Sequence, residues 1–92
     1  MENMNQVLLE FNEEQQQFHY NCVKNNVPKS KENENGWKTL NVCENMHYAQ
    51  LFADFLQVQY LQNRKASFIE LKRAVDNLNR FLSVIYQIYF YQ

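Results

Sequence analysis

The stretch MNQVLLEFNEEQQQFHYNCVK, residues 4–24, decides how this chain is read. Met4, Leu8, Phe11, Phe18 and Cys22 fall on one heptad stripe, with Gln15 as the polar interruption. Glu10, Glu13, Glu14 and Gln17 then form the opposite face, solvated or set against a basic partner. The spacing predicts a first helix over residues 4–24.

Downstream, NNVPKSKENENG at 25–36 contains both the only proline, Pro28, and the only glycine, Gly36, and reads as one long polar loop. Trp37 and Leu40 follow and are placed to pin its far end. Asn41 with Glu44 three residues on resembles a capping box, so a second helix is expected over 41–62. Its apolar residues make two adjacent stripes, one of Val42, Met46, Ala49, Ala53, Leu56 and Tyr60, the other of Tyr48, Phe52 and Phe55. Ser67-x-x-Glu70 opens a third helix, expected over 67–91, in which Phe68, Leu71, Val75, Leu78, Leu82, Ile85 and Tyr89 repeat at alternating spacings of three and four. A chain with one glycine and one proline has few residues suited to tight hairpins. The fold class expected from these patterns is all-α: a three-helix bundle forming a single helical domain over 1–92.

Composition narrows the functional classes. Hydrophobic residues make up 46% of the chain and include seven Phe, six Tyr and one Trp, more aromatic surface than three short helices readily cover. Self-association through the third helix, giving a homodimer, is therefore expected. The net charge of −1 supplies no global field toward nucleic acid. Charge is nonetheless uneven: residues 1–23 carry four Glu and no Lys or Arg, while residues 64–92 carry five basic residues against Glu70 and Asp76. No secretory signal opens the chain, and the apolar run from Phe81 to Tyr91 is too short to span a bilayer. The expected setting is cytoplasmic, with Cys22 and Cys43 as reduced thiols and no membrane partner.

Three constellations carry chemical meaning. His19-x-x-Cys22 and Cys43-x-x-x-His47 have the spacing of paired ligands on helical faces, so His19, Cys22, Cys43 and His47 are the candidate metal set, a zinc-stabilised bundle being the second alternative. The same residues allow a Cys-His nucleophile pair, but a glycine-poor helical chain offers few backbone N–H groups for an oxyanion. Glu13-Glu14 and Glu32-x-Glu34 read as solvated charge, and there is no Walker loop, G-x-G-x-x-G or H-E-x-x-H. No catalytic residue, cofactor or enzymatic activity is expected.

Arg64, Lys65, Lys72, Arg73 and Arg80 form a basic side of the third helix. Tyr86, Tyr89, Phe90 and Tyr91 supply side chains of the kind enriched at interfaces. Together these nine residues are the expected partner-binding set. The leading functional expectation is a small non-enzymatic inhibitor or regulator that binds a larger protein. Size and an Asn/Gln-rich composition associate such chains with viruses and mobile elements, including anti-defence proteins that act on nucleases. The alternative is a nucleic-acid-binding accessory protein using the basic side of the third helix, directly or within a nucleoprotein complex.

Overall fold

The structure, a computed structural model, describes residues 5–24 and 36–90; for Asn5, Tyr89 and Phe90 it describes the backbone alone. It is a mixed α/β fold, not a three-helix bundle: β1 (Asn5–Asn12), β2 (Gln17–Lys24) and β3 (Trp37–Cys43), then α1 (Met46–Leu56) and α2 (Phe68–Phe90). A π-helical turn, Gln57–Leu61, extends α1. The strands form one antiparallel sheet in the order β2-β1-β3.

The helix expected over 4–24 is a β-hairpin. Val7, Leu9 and Phe11 alternate with Leu8, Glu10 and Asn12, a period of two that extended chain sends to opposite faces. Phe11 and Phe18, which had seemed one heptad apart on a helix, are cross-strand partners with ring centroids 5.1 Å apart. Residues 13–16 make the turn without glycine. Asn12 closes it twice, its Oδ1 accepting from the Gln15 N–H at 2.9 Å and its carbonyl from the Gln16 N–H at 2.7 Å, while Gln16 takes the left-handed conformation at φ 57°. The side chain and carbonyl of Asn12 thus perform the reversal for which this stretch offers no glycine or proline.

The second expected helix, 41–62, begins five residues late because Trp37–Cys43 pairs with β1. The cap is Asn45, not Asn41, its Oδ1 accepting from the Tyr48 N–H at 3.0 Å. Leu9 faces Asn41 and Glu10 faces Thr39, so Leu40 is the extra residue of a β-bulge. That bulge leaves Leu40 1% exposed in the same core as Leu9 and Phe11. The long loop expected over 25–36 lies, apart from Gly36, outside the described residues. Gly36 itself sits at φ +83°, a region that strains any side-chain-bearing residue.

Both helices pack on the sheet face formed by Val7, Leu9 and Phe11. Phe52, Ala53 and Leu56 of α1 and Leu71, Ala74 and Val75 of α2 close the main core over Leu9, Phe11 and Leu40, and Ala49 packs with Val7 and Cys43. The hairpin turn also grips the start of α2. Gln16 pairs with the backbone of Ala66 as another strand would, donating to its carbonyl and accepting from its N–H, both at 2.8 Å. Glu13 accepts from the Phe68 N–H at 2.8 Å, placing a carboxylate at the positive end of the helix. Ser67 caps the same turn through the Glu70 N–H at 3.1 Å.

Candidate functional site

α2 divides into two halves. Leu71, Ala74 and Val75 are buried and Leu78 is partly so, whereas Arg80, Phe81, Leu82, Ser83 and Val84 are all exposed. The change falls at Asn79, whose Nδ2 donates to the Asn41 Oδ1 at 3.0 Å, a contact to β3. Beyond it the helix carries Phe81 (59% exposed), Leu82 (44%), Val84 (50%), Tyr86 (51%) and Ile88 (49%) into solvent. Phe81, Val84 and Ile88 stand at i, i+3 and i+7 and form one ridge. Leu82 and Ile85 prolong the stripe that is buried in the first half, so apolar side chains occupy more than half the circumference.

A groove of about 370 Å³ runs along the base of this arm, walled by Leu82 and Tyr86 on one side and by Val42, Tyr48 and Phe52 on the other. Tyr48 also begins a second exposed apolar stripe, continued on the outer face of α1 by Leu51 and Phe55. Ridge, groove and α1 stripe exceed what scattered surface hydrophobics account for and are the main candidate for an interaction surface.

The expected partner-binding residues separate on this fold. Tyr86 lies on the arm and lines the groove. Tyr89 and Phe90 close α2, but their side chains, like Tyr91 as a whole, lie outside the described residues. Arg64 is engaged by Glu70 through Nη1 and Nη2, which holds the Glu70 carboxyl below the usual carboxylate range and raises Arg64. Lys72 pairs with Asp76 at 2.8 Å. Arg73, Arg80 and Lys65 remain exposed, the first two seven residues apart on one side of α2. The basic side is thus three cations and two internal ion pairs.

The candidate metal set does not converge. A spacing of three places ligands together on a helix but on opposite faces of a strand, so His19 and Cys22 point to different sides of β2. Cys22 and Cys43 do share a face, each paired with Val7 from either side, two strand spacings or roughly 10 Å apart. That exceeds both a zinc ligand sphere and the Cα separation of a disulfide. His47 sits exposed in the first turn of α1. Among the described residues, no group of three or more His, Cys, Asp or Glu is arranged to hold a metal ion. Burial pushes the Cys43 thiol up from its ordinary value, against a smaller opposing effect of the hydrogen bond from Asn41 at 3.3 Å.

A cluster absent from the sequence reading occupies the other sheet face. Glu10, expected to be solvated, is 3% exposed. Its carboxylate lies 2.6 Å from the His19 Nε2 across the hairpin and accepts from the Thr39 hydroxyl at 3.4 Å. The His19 ring in turn stacks on Trp37, centroids 3.7 Å apart and planes 16° from parallel. With Glu10 ionised, the contact is a donation from the His19 Nε2–H to its Oε1. One residue from each strand plus Trp37 therefore interlock, a cross-strand clamp in which every buried polar atom has a partner. The signal that would have found it is the period of two: Glu10 and His19 become neighbours once residues 5–24 are folded as a hairpin.

No family model matches the chain, and no curated protein or solved structure matches it either. Function must therefore be argued from these surfaces.

Proposed function

We propose that this protein is a protein-binding module, acting as a small regulator that occupies a surface on another polypeptide through the second half of α2. The observation that carries this reading is the run of five large apolar side chains, Phe81 to Ile88, left in solvent on a helix whose first half buries Leu71, Ala74 and Val75. Three turns of helix with little tertiary support are marginal in water, since isolated helices below about 12–15 residues rarely persist. Covering the arm therefore stabilises both the contact and the helix itself. Interfaces of this kind draw most of their energy from a few buried aromatic and aliphatic anchors, which Phe81, Tyr86 and Ile88 supply.

The experiment is a tagged pull-down from cells of the source or host, with and without nuclease, using the native chain, Phe81→Glu/Ile88→Glu and Arg73→Glu/Arg80→Glu. A polypeptide retained through nuclease treatment, lost with the apolar pair changed and kept with the arginines changed, supports the module. Recovery that vanishes with nuclease and with the arginine pair would move the activity to the cations of α2 and nucleic acid, with an affinity falling steeply with salt.

A further inference from the structure

The inner side of the arm faces a sheet edge that is unpaired among the described residues. We infer that the segment this protein binds is an extended peptide, added as a fourth strand antiparallel to the outer edge of β3 and held between β3 and α2. This rests on the proposed role of α2 as a binding element and names the form in which its partner is recognised.

The backbone supplies the first argument. The sheet runs β2-β1-β3, so β3 pairs on one side only. Alternate residues of such a strand turn their N–H and C=O outward, and from Thr39 to Cys43 these outer groups meet no backbone partner among the described residues. Thr39 and Asn41 engage Glu10, Cys43 and Asn79 through side-chain atoms alone, which leaves the outer backbone groups unused. A row of alternating donors and acceptors is matched by another extended backbone, whereas a helix has already spent its own.

The second argument is the space beside that edge. A groove of about 230 Å³ lies along it, between Thr39–Val42 and the side chains of Lys72, Asp76 and Asn79. It shares Asn41, Val42 and Asn79 with the groove at the base of the arm, so the two are continuous. Lys72, Asp76, Asn79, Leu82 and Tyr86 follow one another at spacings of four, three, three and four, which is one side of α2. That side is about 21 Å long, against about 17 Å of chain from Thr39 to Glu44. The combined slot has the length of a strand of about six residues. The Asn79–Asn41 hydrogen bond joins its walls on the core side, because Asn41 shares a sheet face with Leu9 and Cys43, and so leaves the edge itself open.

The walls state what the peptide carries. The β-bulge at Leu40 interrupts the strand, so regular pairing is expected along Asn41–Cys43, where the facing wall is the apolar one of Leu82, Tyr86, Tyr48 and Phe52. A large apolar side chain of the peptide fills that end. Toward Thr39 the wall is Lys72 ion-paired with Asp76 at 2.8 Å, whose charges cancel, and polar residues of either sign fit there. Running antiparallel to β3, the peptide is apolar first and polar after, with alternate side chains turned toward α2.

The test pans a phage-displayed library of random octapeptides on the full chain and takes the tightest binder as a synthetic peptide. Its backbone nitrogens are then methylated one at a time, which removes a donor and leaves every side chain in place. Methylation at every second position of the bound core should weaken binding by roughly tenfold or more, and at the positions between by less than about twofold. In hydrogen exchange, alternate β3 amides from Thr39 to Cys43 should exchange freely in the unliganded chain and become protected with the peptide bound. Phe81→Glu/Ile88→Glu, on the outer ridge of the arm, should leave the peptide's affinity within about twofold, with the fold checked by circular dichroism.

No binder tighter than about 1 mM overturns the inference. So does a binder whose methylation profile lacks the two-residue period or that protects no β3 amide. A binder lost with Phe81→Glu/Ile88→Glu while the β3 amides stay unprotected sinks the added strand but leaves the module reading standing. A peptide bound with the two-residue period, by a chain that retains no cellular polypeptide through Phe81 and Ile88, supports the added strand and withdraws the ridge from the module.

Discussion

The first and second halves of α2 carry the same kind of side chain at the same spacing and end in opposite environments. Leu71 and Val75 are fully buried, while Leu82, seven residues beyond Val75 on the same stripe, is 44% exposed. The difference lies beneath the helix. As far as Asn79, β3 and α1 provide a floor of Leu40, Phe52 and Leu56; beyond it Leu82 and Tyr86 face Val42, Tyr48 and Phe52 only across an open groove. Periodicity states which side chains share a face, and the length of the neighbouring layer decides how many of them find a core.

That contrast can be broken most directly by truncation. Leu71→Ala, inside the floor, should cost about 2–5 kcal/mol in chemical denaturation, the range for a fully buried leucine. A loss below 1 kcal/mol would mean that the first half is no better anchored than the second. Next in size is the grip of the hairpin turn on the helix start. Glu13→Ala and Gln16→Ala each remove partners of backbone groups at residues 66 and 68 and should each cost about 1 kcal/mol. An additive pair of losses would show two independent contacts; a smaller joint loss would show one cooperative clamp.

On the arm, Phe81→Ala and Ile88→Ala should change the unfolding free energy by no more than about 0.5 kcal/mol, as surface positions do. A loss above about 2 kcal/mol would place these residues in the core of the chain.

The smallest effect belongs to the exposed Arg64–Glu70 pair beside the start of α2. Glu70 titrates below its ordinary value when folded, so its contribution is present above the unfolded carboxylate pKa and is lost as pH falls through the lowered folded value. Melting curves of the native chain and Arg64→Ala should differ slightly at neutral pH and converge in acid. A gap that widens in acid would contradict the assignment.

The hairpin was illegible for a specific reason. A sequence reversal centred between Glu14 and Gln15 pairs Phe11 with Phe18, which is also the spacing of two helical turns, so one pattern satisfies both geometries. Leu8 and Leu9, adjacent and both buried, obscured the alternation that would have separated them. The turn chemistry was equally hidden, since Asn12 and Gln16 do locally what Gly or Pro more visibly announce. The metal pairing His19–Cys22 then failed with the helix that had been expected to present it. The apolar end of α2 was legible because nothing competes with a run of 3.6-residue periodicity that long.

By itself, then, the sequence determined the helix over Phe68–Phe90, its Ser67 cap and the surplus of apolar side chains at its far end, because those depend on residues three or four apart. The tertiary structure alone decided that residues 5–24 pair as strands, that Glu10 is buried against His19, and that the second half of α2 stays exposed. Each of these depends on contacts between residues distant in the chain, whose free energy no local window contains.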